Sequence, residues 1–142
     1  MSGLGRPAVP RPAAERALVA FSGGTQLAWL RLLKPGFRHC FVLLDAGCCW
    51  VRFDPLATAA EIALLPAADA ETLAAALRAQ GLTVVAATPR RPVRPLPPGP
   101  WSCVEAVKRL LGLRAPFLLT PWQLYRRLAR EAAEIPLDAP AI

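Results

Sequence analysis

Short apolar runs along the chain predict β-strands. Residues 18–21 and 82–87 are rich in Leu, Val and Ala and lie next to turn-forming residues, which is typical of strands. Residues 38–54 contain two further β-rich runs on either side of the segment 45–48, so we predict a hairpin there. Residues 57–65 fit either a short helix or an Ala-rich strand.

The register of this hairpin decides which side chains meet. If residues 46–47 form a two-residue loop, or 45–48 a four-residue loop, the numbers of paired residues sum to 93. A three-residue loop would shift the pairing by one. The sum of 93 gives one wholly apolar face and places His39 beside Asp54 on the other face. The predicted pairs are Leu44 with Cys49, Val42 with Val51, Cys40 with Phe53, Leu43 with Trp50, Phe41 with Arg52, and His39 with Asp54.

Capping residues mark the helices. We predict a short helix over 26–33, one over 69–80 with Asp69 as its cap, and two more near the C-terminus. The first of these two begins with a capping box, in which Ser102 caps the amide of Glu105 and the Glu105 carboxylate reaches back. The last, over 121–133, repeats this with Thr120 and Gln123. The predicted apolar stripe of the helix after Ser102 is Val104, Val107, Leu110 and Leu111.

Together these elements predict one α+β domain over residues 17–142, a small antiparallel sheet packed against helices, preceded by a flexible leader at 1–16. Residues 89–100 contain six prolines and three arginines, which predicts an extended connection within the domain. The same composition also suits a ligand for a proline-recognition domain or a basic arm that binds nucleic acid.

Composition narrows the chemistry. The single histidine, His39, excludes a Cys₂His₂ zinc finger, a three-histidine zinc site and an HExxH metalloprotease helix. The four cysteines include no CxxC pair, so we expect free thiols, no metal and no cofactor. We find neither a secretory signal nor an apolar run of ~18 residues, and therefore expect a cytoplasmic protein without a membrane span. The net charge of +7 comes mostly from arginine, and a solvated Arg-rich surface accounts for it.

Cys103 is the residue on which a chemical function depends. The capping box places it at the first helical position, where unpaired amides and the helix dipole favour a thiolate. His39 and Asp54 would supply a base and a group to orient it. The amides around Cys103 would serve as an oxyanion hole.

At this point the chain resembles a known superfamily. The strand HCFVLL beginning at His39, the helix SCVEAVKRLLG beginning at Ser102 and the opening LVAFSGG are similar to segments of papain-like proteins. Because histidine precedes cysteine, the resemblance is to the circularly permuted branch of the NlpC-type peptidase superfamily, which includes lecithin:retinol-acyltransferase-like proteins. It covers roughly residues 17–112. It implies that Cys103 is the nucleophile, His39 the general base, and a polar residue on the neighbouring strand the orienting group, for which we select Asp54, with Asp45 as the alternative.

We therefore expect a thiol-dependent hydrolase or acyltransferase, a cysteine peptidase or amidase in type, that acts on a peptide or acyl substrate. Trp50 and Trp101 would wall the substrate groove, although both also suit simple packing. The competing interpretation is a non-catalytic, phage-derived or nucleic-acid-associated module that binds through its Arg-rich surface.

Overall fold

The computed structural model describes residues 16–24, 33–56, 58–90 and 101–134. These residues form five strands and three helices in an α+β arrangement. In chain order the elements are β1 (Ala17–Ser22), β2 (His39–Asp45), β3 (Cys49–Pro55), β4 (Ala60–Pro66), α1 (Ala70–Ala79), β5 (Thr83–Ala87), α2 (Cys103–Leu111) and α3 (Pro121–Glu134). The predicted leader at 1–16 (all but Arg16), most of the helix at 26–33 and the connection at 89–100 beyond Arg90 lie outside the described residues.

The five strands form one antiparallel sheet in the order β4-β3-β2-β1-β5. β2 is the central strand, with β3 on one side and β1 on the other. β1 is buried over almost its whole length. The segment 57–65, for which the sequence fits either a helix or a strand, contains most of the edge strand β4, Ala60–Pro66.

Helices cover both faces of the sheet. On one face, α2 and α3 pack against side chains of β1, β2 and β5, and form a core that includes Val19, Val42 and Val107. On the other face, α1 packs against a second core centred on Leu43 and Trp50. The alternation of side chains along β2 therefore sends neighbouring residues to different helical layers.

The hairpin register differs from the predicted one by two residues. The observed pairs include Val42 with Phe53 and Asp45 with Trp50, so paired numbers sum to 95 rather than 93. The loop consists of Gly47 and Cys48, because the amide of Ala46 already donates to the Cys49 carbonyl at 2.9 Å. Gly47 has φ +86°, and glycine with a positive φ is favoured at the first loop position of such turns. A shift of two preserves which residues share a face, since side chains alternate with a period of two.

The helix caps are largely as predicted. Ser102 Oγ accepts from the Glu105 amide at 3.0 Å, and Gln123 accepts from the Thr120 amide at 3.2 Å in a complete capping box. The Glu105 carboxylate, however, does not reach back: it pairs with Lys108 at 3.0 Å and with a neighbouring arginine. The predicted apolar stripe of α2 is also wrong at Leu110, which is 37% exposed, whereas Lys108 is buried.

Candidate active site

His39 begins β2 at one end of the sheet, where it pairs with Ser22 of β1. Its Nε2 lies 2.6 Å from Oδ1 of Asp54, near the end of β3. The observed pairs end at Val42 with Phe53. Extension of this register makes His39 and Asp54 diagonal neighbours on one face of the sheet. The contact occupies Nε2, so Nδ1 is the ring nitrogen that faces away from the carboxylate.

Asp54 is a buried carboxylate with a partner on each oxygen. Its side chain is 8% exposed. Oδ1 bonds to His39, and Oδ2 accepts from Nη2 of Arg52 at 2.7 Å. A buried carboxylate without such partners would carry a large desolvation cost. Asp54 is thus held in one orientation, aimed at the imidazole.

Cys103 is the first residue of α2, directly after the cap Ser102. Because α2 packs against β2, this end of the helix lies over the start of that strand. The side chain of His39 and the thiol and backbone of Cys40 lie close enough to this sulfur to shift the pKa of the Cys103 thiol. Two consecutive residues of β2 therefore lie near one sulfur atom: Cys40 from the core that α2 covers, and His39 from the end of the strand.

These contacts favour the thiolate of Cys103. The bond from the Cys40 thiol lowers the pKa of Cys103 most strongly, burial opposes it, and the hydrogen bond and charge of His39 lower it further. The resulting pKa of Cys103 is about 5, well below that of an ordinary thiol. The same interaction has the opposite effect on Cys40: together with burial, it raises the pKa of the Cys40 thiol well above its usual value.

The pKa of His39 is raised, whereas that of Cys103 is lowered. Burial lowers its pKa, but hydrogen bonds to Cys103 and Asp54, and the negative charges of both groups, outweigh this. The pKa of His39 therefore lies above its usual 6.5. A lowered thiol and a raised imidazole pKa are the electrostatic signature of a thiolate–imidazolium pair.

The two tryptophans proposed for a substrate groove have different positions. Trp50 is 2% exposed, and its Nε1 donates to the Ala68 carbonyl at 2.9 Å. It is a core residue on the α1 side, and its assignment to a groove wall was wrong, because burial and a structural hydrogen bond remove it from the surface. Trp101 is 60% exposed and lies two residues before Cys103, with Nε1 donating to the Leu56 carbonyl at 3.3 Å.

Asp45, the alternative orienting group, lies at the other end of the hairpin. Its Oδ1 accepts from the Gly47 amide at 2.9 Å in the turn. The histidine is at the opposite end of β2. Asp45 therefore shapes the loop, and Asp54 is the carboxylate that contacts the imidazole.

Two further residues of the site were not singled out from the sequence. The predicted hairpin pairs Cys40 with Phe53, and Cys40 does lie in the core, but its thiol also lies near Cys103. The predicted hairpin pairs Arg52 with Phe41 and indicates no ion pair. The spacing of two between Arg52 and Asp54 on a strand places both on one face and could have indicated the ion pair, whereas nothing local indicates the contact between Cys40 and Cys103.

Neither a metal site nor a membrane-spanning helix is found among the described residues. The described residues contain no group of three or more His, Cys, Asp or Glu side chains that could hold a metal ion. Among the helices of the described ranges, none has the length and apolar character needed to cross a membrane. No family model, curated protein or solved structure matches the chain.

Proposed function

We propose that the chain is a thiol-dependent hydrolase or acyltransferase that acts on an amide or ester through an acyl-enzyme on Cys103. The observation that carries this proposal is the 2.6 Å contact of His39 with Asp54, together with the nearness of His39 to Cys103, which lowers the pKa of the thiol. The three residues come from β3, β2 and α2, and only the fold brings them together. A nucleophile, a base and a group that orients the base are the components of covalent acyl transfer.

The architecture supports a circularly permuted papain-like fold of the NlpC type. A helix that opens with the cysteine packs on an antiparallel sheet whose strand carries the histidine. The histidine strand precedes the cysteine helix in the chain, which is the permuted order. The acid follows on the next strand, where the resemblance places the orienting group.

The first half of the reaction follows from the ionised pair. The Cys103 thiolate attacks the carbonyl carbon, a C–S bond forms, and the carbonyl electron pair moves to oxygen. Backbone amides of the first turn of α2 that have no helical partner would stabilise the oxyanion. When the carbonyl re-forms, the bond to the leaving nitrogen or oxygen breaks, and the His39 imidazolium gives that atom its proton.

The second half restores the enzyme. Neutral His39 accepts a proton from water, or from an acceptor amine or alcohol, while the oxygen or nitrogen of that molecule attacks the thioester carbon. The C–S bond then breaks, and the thiolate and the imidazolium are both regenerated. Asp54 keeps the ring oriented and stabilises its positive charge throughout. Exposed Trp101 gives the substrate an apolar wall beside the nucleophile.

An activated ester tests the proposal. With p-nitrophenyl acetate at pH ~6.5, we expect a burst of p-nitrophenolate and an acetyl group on the Cys103 peptide by mass spectrometry. Cys103→Ala should lose both signals, and the matched variant Cys48→Ala, which removes an exposed thiol outside the site, should keep both.

The decisive comparison is with His39→Ala. The burst rate constant of that variant should fall about fourfold at this pH, because the thiolate loses its counter-ion and a smaller fraction of the thiol is ionised. Acetylation of Cys103 at the wild-type rate in His39→Ala would overturn the proposal. Slow, equal acetylation of all four cysteines would do the same and would favour a non-catalytic binding module.

A further inference from the structure

Arg52 forms the outer end of the site. Its Nη2 donates to Asp54 Oδ2 at 2.7 Å, and its guanidinium carbon lies 4.6 Å from the ring centroid of Phe41. Phe41 is buried, so the ring is a fixed platform for the cation. The guanidinium is therefore held by an ion pair and by stacking.

This arrangement differs from an ordinary surface ion pair. Exposed pairs contribute little because solvent screens them, but the Asp54 side chain is 8% exposed and Arg52 only 35%. His39 contacts the other carboxylate oxygen. If Arg52 were absent, the charge of the carboxylate would be balanced by the imidazole alone.

The charged groups around Asp54 alternate in sign from one neighbour to the next. The order is negative thiolate, positive imidazolium, negative carboxylate and positive guanidinium. The titratable and charged groups that face Asp54 are Arg52 on its own strand, His39 on β2 with Cys103 and Cys40 beyond it, and exposed Glu61, which is its pair on β4. The acidic and basic residues of α1, which packs over β1 and β5, pair with each other.

We infer that Arg52 is a positioning residue of the thiol site, which acts through Asp54: its positive charge balances that of the carboxylate and so sets how strongly Asp54 holds the proton on His39. It does not contact the substrate or the reacting atoms. As a role within the catalytic site, this inference rests on the proposed function. Its electrostatic content does not, because it concerns the protonation of His39 in the resting protein.

The inference fixes the sign of a measurable shift. Removal of the positive charge of Arg52 leaves Asp54 more negative toward the imidazole, so His39 should hold its proton to a higher pH. Removal of the negative charge in Asp54→Asn should have the opposite effect. One charge at this range in a partly exposed setting should move the titration midpoint by about 0.5 to 1 pH unit.

The single histidine makes the measurement direct. In untagged full-length protein labelled with ¹⁵N-histidine, only His39 contributes imidazole signals. We expect the midpoint to move upward in Arg52→Gln, downward in Asp54→Asn, and to stay within ~0.2 unit of wild type in Arg52→Lys, which keeps the charge. Arg127→Gln breaks a similar 2.8 Å ion pair on α3 and should leave the midpoint unchanged.

The outcomes separate this inference from the proposed function. An unchanged midpoint in folded Arg52→Gln, or a shift equal to that of Arg127→Gln, overturns the role of Arg52 even if the protein is an active thiol enzyme. If Arg52→Gln does not fold, Arg52→Lys decides: a midpoint that moves by half a unit despite the retained charge rejects the inference. An upward shift in a protein that never acetylates Cys103 supports the inference and rejects the proposed function.

Discussion

The thiolate of Cys103 should be visible as a flat pH profile of reactivity. We consider alkylation by iodoacetamide, a neutral reagent that reacts with thiolates and needs no catalytic turnover. In wild-type protein the rate constant at Cys103 should rise around pH 5 and then remain nearly constant through neutral pH. Its pKa of about 5 means that almost all of the thiol is ionised there.

The magnitude follows from the two titration curves. A free thiol with a pKa of about 8.5 is roughly 0.3% ionised at pH 6 and half ionised at pH 8.5, so its rate should rise about 150-fold over that interval. With a pKa of about 5, Cys103 is already about 90% ionised at pH 6, and its rate should rise by only about 10%. Because nucleophilicity falls with pKa, the height of the plateau is less diagnostic than its shape.

His39→Ala is the variant that tests the cause. The hydrogen bond and charge of His39 both lower the Cys103 pKa, and loss of a nearby opposite charge moves a pKa by roughly 1 to 3 units. A rise of about 2 units would lower the rate at pH 6 about tenfold and leave the rate at pH 9 almost unchanged. The bonds from Cys40 remain, so the profile should not become that of a free thiol.

The assay is quantitative peptide mass spectrometry, with separate rate constants for the four cysteine positions between pH 4 and 9.5. Exposed Cys48 in the same molecule controls for reagent decay and for global unfolding. The reasoning is refuted if the Cys103 rate climbs more than tenfold between pH 6 and 8.5. It is also refuted if His39→Ala and wild type have superimposable profiles in folded protein.

Two further predictions concern stability and are both measured by urea unfolding at pH 7. Val107→Ala should lower the free energy of unfolding by about 1 to 2 kcal/mol, because Val107 is fully buried in the α2 core, whereas Leu110→Ala on the same helix should cost less than ~1 kcal/mol despite removing more atoms. Equal losses would contradict the observed burial of α2. Lys108→Met should cost about 2 to 3 kcal/mol, since Nζ bonds two loop carbonyls at 2.9 and 3.0 Å and pairs with Glu105. A loss no larger than that of exposed Arg130→Gln would show that these bonds contribute nothing.

Local sequence patterns were sufficient to predict most of the helices and strands. The cap at Ser102 and the capping box of Thr120 and Gln123 depend on residues within one helical turn, and the observed hydrogen bonds follow the pattern. The strand alternation of β2 and β3 likewise depends only on the period of two. This explains why His39 and Asp54 were placed on one face correctly although the register was wrong by two residues.

The remaining features depend on geometry that no local pattern determines. The register depends on the conformation at Gly47, a single backbone torsion. The bond between Cys40 and Cys103 depends on where α2 lies over β2. Burial of Lys108 depends on the path of the chain after α2, where backbone carbonyls that lack helical partners accept its hydrogen bonds. Each of these features is determined by a backbone torsion or by a group that is distant in sequence and comes near only in the folded protein.

We expect the site to assemble in a distinct order. His39 and Asp54 are 15 residues apart within one hairpin, so their contact closes a short loop and forms at a low entropic cost. Cys103 arrives from 64 residues further along the chain, and its contact with His39 requires α2 to dock on the sheet. Late docking of this kind means that partly folded chains have the acid–base pair but an ordinary thiol. The reactive thiolate is therefore a property of the completed fold, and an incompletely folded chain would not expose an activated nucleophile to oxidation or to stray acyl donors.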